Sequence, residues 1–169
     1  SSGGDVDALN AADIPGGERN VGDELTHLIA TIGENMTLRR AANVFVSNGA
    51  LASYVHSAIA PGMGKIGVLV GLESNLDAYK LAELGKQIAM HIAAAKPLAV
   101  SQHDLDQAEV ERERAVLSEQ ARESGKPEEI IEKMVIGRLR KFYEEVCLLD
   151  QTFVIDGETK ISDVLANAT

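Results

Sequence analysis

Residues 104–145 constrain the fold more tightly than any other stretch, because two long helical patterns meet there across a two-residue break. The first pattern, "DQAEVERERAVLSEQARESG", is dense in charge and keeps only a thin apolar seam of Val110, Leu117 and Ala121. The second carries Ile130, Ile131, Met134, Val135, Leu139 and Phe142 at three- and four-residue steps. Gly125 suits the residue after a helix, and Pro127 suits the first turn of the next one. The spacing therefore predicts helices over 106–124 and 127–143. So short a connection leaves them no arrangement but antiparallel. A hairpin this polar has little core of its own. Residues 101–145 are expected to project from a main domain and to bury their seam against a second copy or a partner.

The rest of the chain reads as that main domain. A helix is predicted over 77–96, with Leu81, Leu84, Ile88, Ile92 and Ala95 in one stripe. Ala82, Gly85, Ala89 and Ala93 lie beside the stripe and permit close approach to a sheet. Pro97 ends the helix by disfavouring helical backbone at Lys96. Three strands are expected: Leu38–Ser47 and Leu51–Ser57 as a hairpin about Asn48-Gly49, then Ile66–Leu72. The unbroken apolar run of the third strand suggests burial on both faces or a central place in the sheet. Residues 21–33 carry Leu25, Leu28, Ile29 and Ile32 at helical spacing. The Gly, Ser, Asp and Asn-rich residues 1–20, with Pro15-Gly16-Gly17, read as a flexible lead-in. Residues 146–169 hold a turn at Asp156-Gly157 and a last helix from Ser162; they are expected to open a second, truncated core subdomain after one spanning 21–100. The fold class that follows is α+β: a small antiparallel sheet flanked by helices, with a projecting two-helix coiled-coil hairpin.

Charge and composition remove several function classes. The net charge is -10, and the basic residues Arg39-Arg40 and Arg138, Arg140, Lys141 sit beside acidic ones. Phosphate backbones need clustered cations, so nucleic acid is not the expected partner. No stretch is long and apolar enough to cross a membrane, and the first residues do not read as a signal peptide. Aromatic residues make up 4% with no Trp, so the core must be built from Leu, Ile, Val and Ala. A lone cysteine, Cys147, allows no internal disulfide and fits a reducing compartment. The chain lacks an initiator Met, which suggests a piece of something longer.

Catalytic constellations are equally scarce. "GMGKIG" at 62–67 has the letters of a dinucleotide motif, but a strand follows the glycines where a helix is required. It reads as a hairpin connection. His27, His56, His91 and His103 do not pair at metal-ligand spacing, and Cys147 has no identifiable base. The carboxylates of 104–145 alternate with Arg and Lys, the pattern of a solvated helix face. His91, in "GKQIAMHIAAAKP", sits on the shoulder of an apolar stripe and reads as packing. His56 ends a strand before a Gly/Pro loop, a place where recognition residues concentrate. No catalytic residue, metal or cofactor is expected, and the chain reads as a binding module.

Several stretches in order resemble the elongation factor Ts family. They are "IGENMTLRRAA" at 32–42, "SYVH" at 53–56, "KIGVLVGLES" at 65–74, "IAMHIAAAKP" at 88–97 and "SGKPEEIIEKMVIGRLRKFYEEVCLLDQTFV" at 124–154. The likeness runs from about residue 21 to 169. It implies a factor that binds the translational GTPase elongation factor Tu and promotes GDP release without covalent chemistry. The family's GTPase-facing positions fall on Ile32, Gly33 and His56, an aromatic tip with apolar neighbours. The resemblance also implies a bacterial cytoplasmic location or an organellar matrix, and a homodimer through the helical hairpin. The family's T-D-F-V segment and small N-terminal helical domain have no counterpart in these residues, and the loop "SAIAPGMGKIG" is longer than in some members. A purely structural or dimerising module is the competing expectation.

Overall fold

The computed structural model describes residues 3–168. They fall into two compact units, one ending at Phe45 and the other starting at Val46.

In the first unit, local hydrogen bonds create the order. The Asp5 carboxylate caps α1 (Val6–Asn10) by accepting from the Asp7 and Ala8 amides at 2.8 and 3.0 Å. The chain then turns through Pro15-Gly16-Gly17, with Gly16 at φ 75 and the Gly17 amide donating to the Ile14 carbonyl at 2.8 Å. A bridge between Asp13 and Asn20 closes that turn. Asn20 next caps α2 (Val21–Ile32) by accepting from the Asp23 amide at 2.8 Å. The stretch expected to be a flexible lead-in is thus organised from Asp5 to Asn20, because Asx side chains at both ends bind the backbone. Residues 34–45 form no regular element.

The second unit is built on an antiparallel pair, β1 (Gly49–His56) and β2 (Ile66–Glu73), in register from Gly49 opposite Glu73 to His56 opposite Ile66. Here the expectation for Leu38–Ser47 fails: it is not a strand, and Asn48-Gly49 is not a hairpin turn. Gly49 instead opens β1, where a Cβ would run into the Leu72 carbonyl. The Ser74 amide donates to the Asn48 carbonyl at 3.1 Å, and the Asn48 amide group donates to Asn75 Oδ1 at 2.6 Å. Asn48 and Gly49 thus tie the open end of the sheet, and the true turn is the loop 57–65. Glu73 adds to the same end by accepting from the Ser47 amide and hydroxyl at 2.9 and 3.0 Å. These bonds hold its carboxyl below the usual carboxylate range. Nor is β2 buried on both faces: Val70 is buried, whereas Leu69 is 61% exposed.

Helix α3 (Ala78–Ala95) covers the inner face of the sheet. Asp77 caps it through the Tyr79 and Lys80 amides, and Lys96, at φ 50, ends it before Pro97. Gly85 meets the sheet; a Cβ there would lie 2.7 Å from that of Ala52. Val70, Ile88, Ala89, Leu148, Phe153 and Ile161 form the main core. Leu148, Phe153 and Ile161 thus pack into one core with α3 and β2; the last helix, α6 (Ile161–Asn167), starts with the fully buried Ile161.

The two charged segments are α4 (Gln107–Arg122) and α5 (Glu128–Val146). Gly125, at φ 66, turns the chain, and the Ile130 and Ile131 amides donate to the Pro127 carbonyl at 2.9 and 3.1 Å. Contacts run from Arg122–Glu128 at the tip, through the cluster of Ala121, Ile131 and Val135, to a cluster at the base that holds Val110, Phe142 and Val146. That order is the order of an antiparallel pair. The fold is α+β, as the residue pattern predicts.

Candidate functional site

His56 is the last residue of β1 and is exposed. Tyr54, two residues earlier on the same face of the strand, is half-buried and packs against the core. Its hydroxyl lies 3.1 Å from His56 Nδ1, with ring centroids 6.0 Å apart. With the hydroxyl donating, Nδ1 accepts and the ring proton sits on Nε2. Tyr54 therefore orients the imidazole.

The loop beyond His56 is hydrogen-bonded back to it. The Lys65 amide donates to the His56 carbonyl at 3.1 Å, and the Ile59 amide to the Met63 carbonyl at 2.9 Å. Gly64 is pressed against the strand end: a Cβ would lie 2.5 Å from Val55 Cγ1 and 2.7 Å from the His56 carbonyl oxygen. The glycines of "GMGKIG" serve this turn, and β2 follows them directly.

Ile32 and Gly33 stand together in the first unit. Ile32 closes α2 and is 56% exposed. Gly33, at φ 80, ends the helix and donates its amide to the Ile29 carbonyl at 2.9 Å. Nothing lies within 4 Å of where its Cβ would be, so the glycine is there for its backbone conformation. The same unit has an apolar cleft lined by Ile14, Val21, Leu25, Leu28 and Leu38, with Glu24 its one ionisable wall. Periodicity marked the leucines of α2 but not the cleft, because Ile14 and Leu38 come from irregular segments.

His91 has a different role. It is fully buried; Nε2 lies 2.9 Å from Gln151 Oε1, and Nδ1 accepts from the Val154 amide at 3.2 Å. Since Nδ1 accepts, Nε2 carries the proton and donates to Gln151. The Gln151 amide group in turn donates to the Glu145 carbonyl at 2.6 Å. This chain of bonds ties α3 to the end of α5 and to the turn before α6. His91 is packing, as its place on the helix shoulder indicates. Cys147 is also fully buried, and burial foremost, with Asp150 and Asp104 behind it, pushes its thiol pKa up. A thiol held protonated is a poor nucleophile. Among the described residues no three His, Cys, Asp or Glu side chains gather as a metal site, and no helix is long and apolar enough to cross a membrane.

The described residues thus make an α+β body with a helical arm. The family model described as elongation factor TS matches residues 1–169, and the chain belongs to that family. It is 60% identical to the elongation factor Ts of Rhodospirillum centenum over 99% of this chain and 55% of the relative. It is 62% identical to that of Paramagnetospirillum magneticum over 98% of this chain and 53% of the relative. The factor of Rhodospirillum rubrum is 61% identical over 98% and 54%. The chain therefore spans about half the length of these relatives.

Proposed function

We propose that this chain binds elongation factor Tu and promotes release of GDP from it, in the cytoplasm of a bacterium or in an organellar matrix. Family membership supports the partner. The observation that carries the site is His56, exposed at a strand end and oriented by Tyr54. Ile32 and Gly33 contribute a second patch: an apolar side chain beside a helix end without a Cβ. Such a surface needs no chemistry of its own. If its contacts are better with the empty GTPase than with the loaded one, nucleotide and factor each weaken the other by the same factor.

Release of a labelled GDP from the loaded GTPase, followed with increasing amounts of the chain, tests the reading. The expected outcome is a concentration-dependent acceleration. His56→Ala should weaken binding to the nucleotide-free GTPase by about 1–2 kcal/mol, an ordinary loss for an interface anchor. No acceleration at saturating concentrations would refute exchange, and an unchanged dissociation constant in calorimetry would remove His56 from the contact.

A second reading has its own observation. Val116, Ile130 and Ile136 are 51%, 44% and 60% exposed on the helical arm. They suit an arm that pairs with a second copy, giving a homodimer or a purely structural module. Sedimentation of the chain alone, with and without Ile136→Ser, separates that reading from exchange.

A further inference from the structure

The β1–β2 hairpin breaks the charge pattern of the chain. There are 26 Asp and Glu residues in 169, yet none lies between Gly49 and Glu73. In that span the only charged side chain is Lys65, and the only histidine is His56. The far end of the hairpin is also apolar in an unusual way. Ile59 is 79% exposed and Met63 58% exposed, on either side of Ala60, Pro61 and Gly62. Large apolar side chains that protrude from loops are common when the loop is loose. This loop is pinned by the Ile59–Met63, Met63–Ala60 and Lys65–His56 backbone bonds at 2.9, 3.0 and 3.1 Å. Gly64 seals its base against Val55 and His56. A turn held in one shape loses little entropy when it is gripped.

We propose that the loop 57–65 is a preformed apolar plug, and that Ile59 and Met63 enter an uncharged recess on the GTPase that His56 touches. The inference rests on the function proposed above and extends its site. Three features favour this occupant. The plug begins one residue after His56 and is bonded to it through Lys65, so a partner that reaches the imidazole meets the loop. The absence of carboxylates removes the repulsion that the rest of this acidic chain would present to an acidic protein surface. Methionine beside isoleucine gives a tip whose shape adapts on one side and is fixed on the other, which suits filling a recess. Lys65 at the base then serves as rim, exposed to solvent and free to meet a carboxylate.

The test compares three proteins: the chain as it stands, His56→Ala, and the pair Ile59→Ser with Met63→Ser. Both tip residues are exposed, so thermal unfolding should be unchanged by the serine pair. Its dissociation constant for the nucleotide-free GTPase should rise about tenfold or more, mainly through faster dissociation. Amides of 57–65 in the unaltered chain should also exchange more slowly with deuterium in the complex. If His56→Ala weakens binding while the serine pair does not and exchange in the loop is unaltered, the plug is refuted and the function stands. If the unaltered chain does not bind the GTPase at all, both fall. If Ile59 and Met63 instead govern self-association in sedimentation, the tip belongs to a second copy and the proposal is overturned.

Discussion

Two glycines in long helices should respond oppositely to the same substitution. Replacing an interior helical glycine with alanine gains about 0.8–1.0 kcal/mol from backbone propensity alone. Gly137, exposed on α5, has nothing within 4 Å of the added methyl, so Gly137→Ala should keep most of that gain. Gly85, buried on α3, would place the methyl 2.7 Å from the Ala52 Cβ. Carbon pairs settle at about 3.5–4.0 Å, so helix and strand must part by roughly 1 Å. Ala52 has no rotamer with which to yield, so backbone must move. Leu81, Ile88 and Ala89, buried on the same helix, share that displacement. A gap of this size forfeits a quarter to a half of each affected contact, and overpacking of this kind costs about 1–3 kcal/mol. Set against the propensity gain, the net destabilisation is up to about 2 kcal/mol. At roughly 2–4 °C per kcal/mol for a chain of this size, Gly85→Ala should lower Tm by up to about 8 °C. Gly137→Ala should raise it by about 2–4 °C. Thermal unfolding followed by far-ultraviolet circular dichroism decides the matter. A rise in Tm for Gly85→Ala would show that the close approach of α3 to β1 is not a constraint.

Other outcomes follow from the same structure. His91→Ala removes two buried hydrogen bonds and leaves a void, and should cost about 3–5 kcal/mol in urea unfolding. Combined with Gln151→Ala, the double change should cost at least about 1 kcal/mol less than the sum of the single changes; strict additivity would mean that the 2.9 Å His91–Gln151 contact carries no coupling. Ile131→Ala, in the small cluster with Ala121 and Val135, should cost about 2–4 kcal/mol and speed amide exchange across α4 and α5 ahead of α3; uniform acceleration would show that the arm does not open by itself. Glu73, Asp104 and Asp156 are each held below the ordinary carboxylate range by hydrogen bonds from Ser47, Ser101, and Glu158 with Thr159. The unfolded chain takes up their protons first, so the stability they contribute is complete above about pH 5 and is lost as pH falls below the ordinary carboxylate range toward their lowered native values. The urea midpoint should drop over that window and drop less in Asp156→Asn; a midpoint flat from pH 7 to pH 3 would contradict the assignment.

The helices were legible because their signals are local. Gly125 and Pro127 fix the turn of the arm, Pro97 fixes the end of α3, and a stripe at three- and four-residue steps needs no knowledge of what it packs against. The sheet was less legible because strand pairing is non-local. Asn48-Gly49 has the letters of a tight turn, but whether it turns depends on Glu73, Ser74 and Asn75, some 25 residues away, which bind Ser47 and Asn48 instead. The apolar run of β2 hid a one-sided strand because Leu69 is as apolar as Val70, although only Val70 is buried. The lead-in deceived for a related reason: Asp5 and Asn20 are loop formers in composition, yet each is a helix cap by position. Of the candidate site, the place of His56 at a strand end was legible. The Tyr54 bond that orients it was not, since period-2 spacing puts two side chains on one face without saying that they touch.

The exchange proposed above would rest on differential affinity, not on reactive groups of the chain's own. A binding partner shifts an equilibrium only by its differential affinity for the two states. A pliant surface would follow the GTPase from one state to the other and discriminate between them weakly. The His91–Gln151–Glu145 bonds and the close contact of Gly85 with Ala52 hold α3, β1 and the end of α5 as one stiff body, and β1 carries His56 at its end. A rigid presenter makes a poor fit to the wrong state costly, and in the proposed function that cost would be the coupling free energy on which exchange depends. Loosening the core at His91 should therefore narrow the difference in affinity between the empty and the GDP-bound GTPase, even though His91 touches neither. Titrating both forms of the GTPase with His91→Gln, which retains a polar side chain to meet Gln151, measures this: an affinity ratio equal to that of the unaltered chain would show that stiffness behind the surface plays no part.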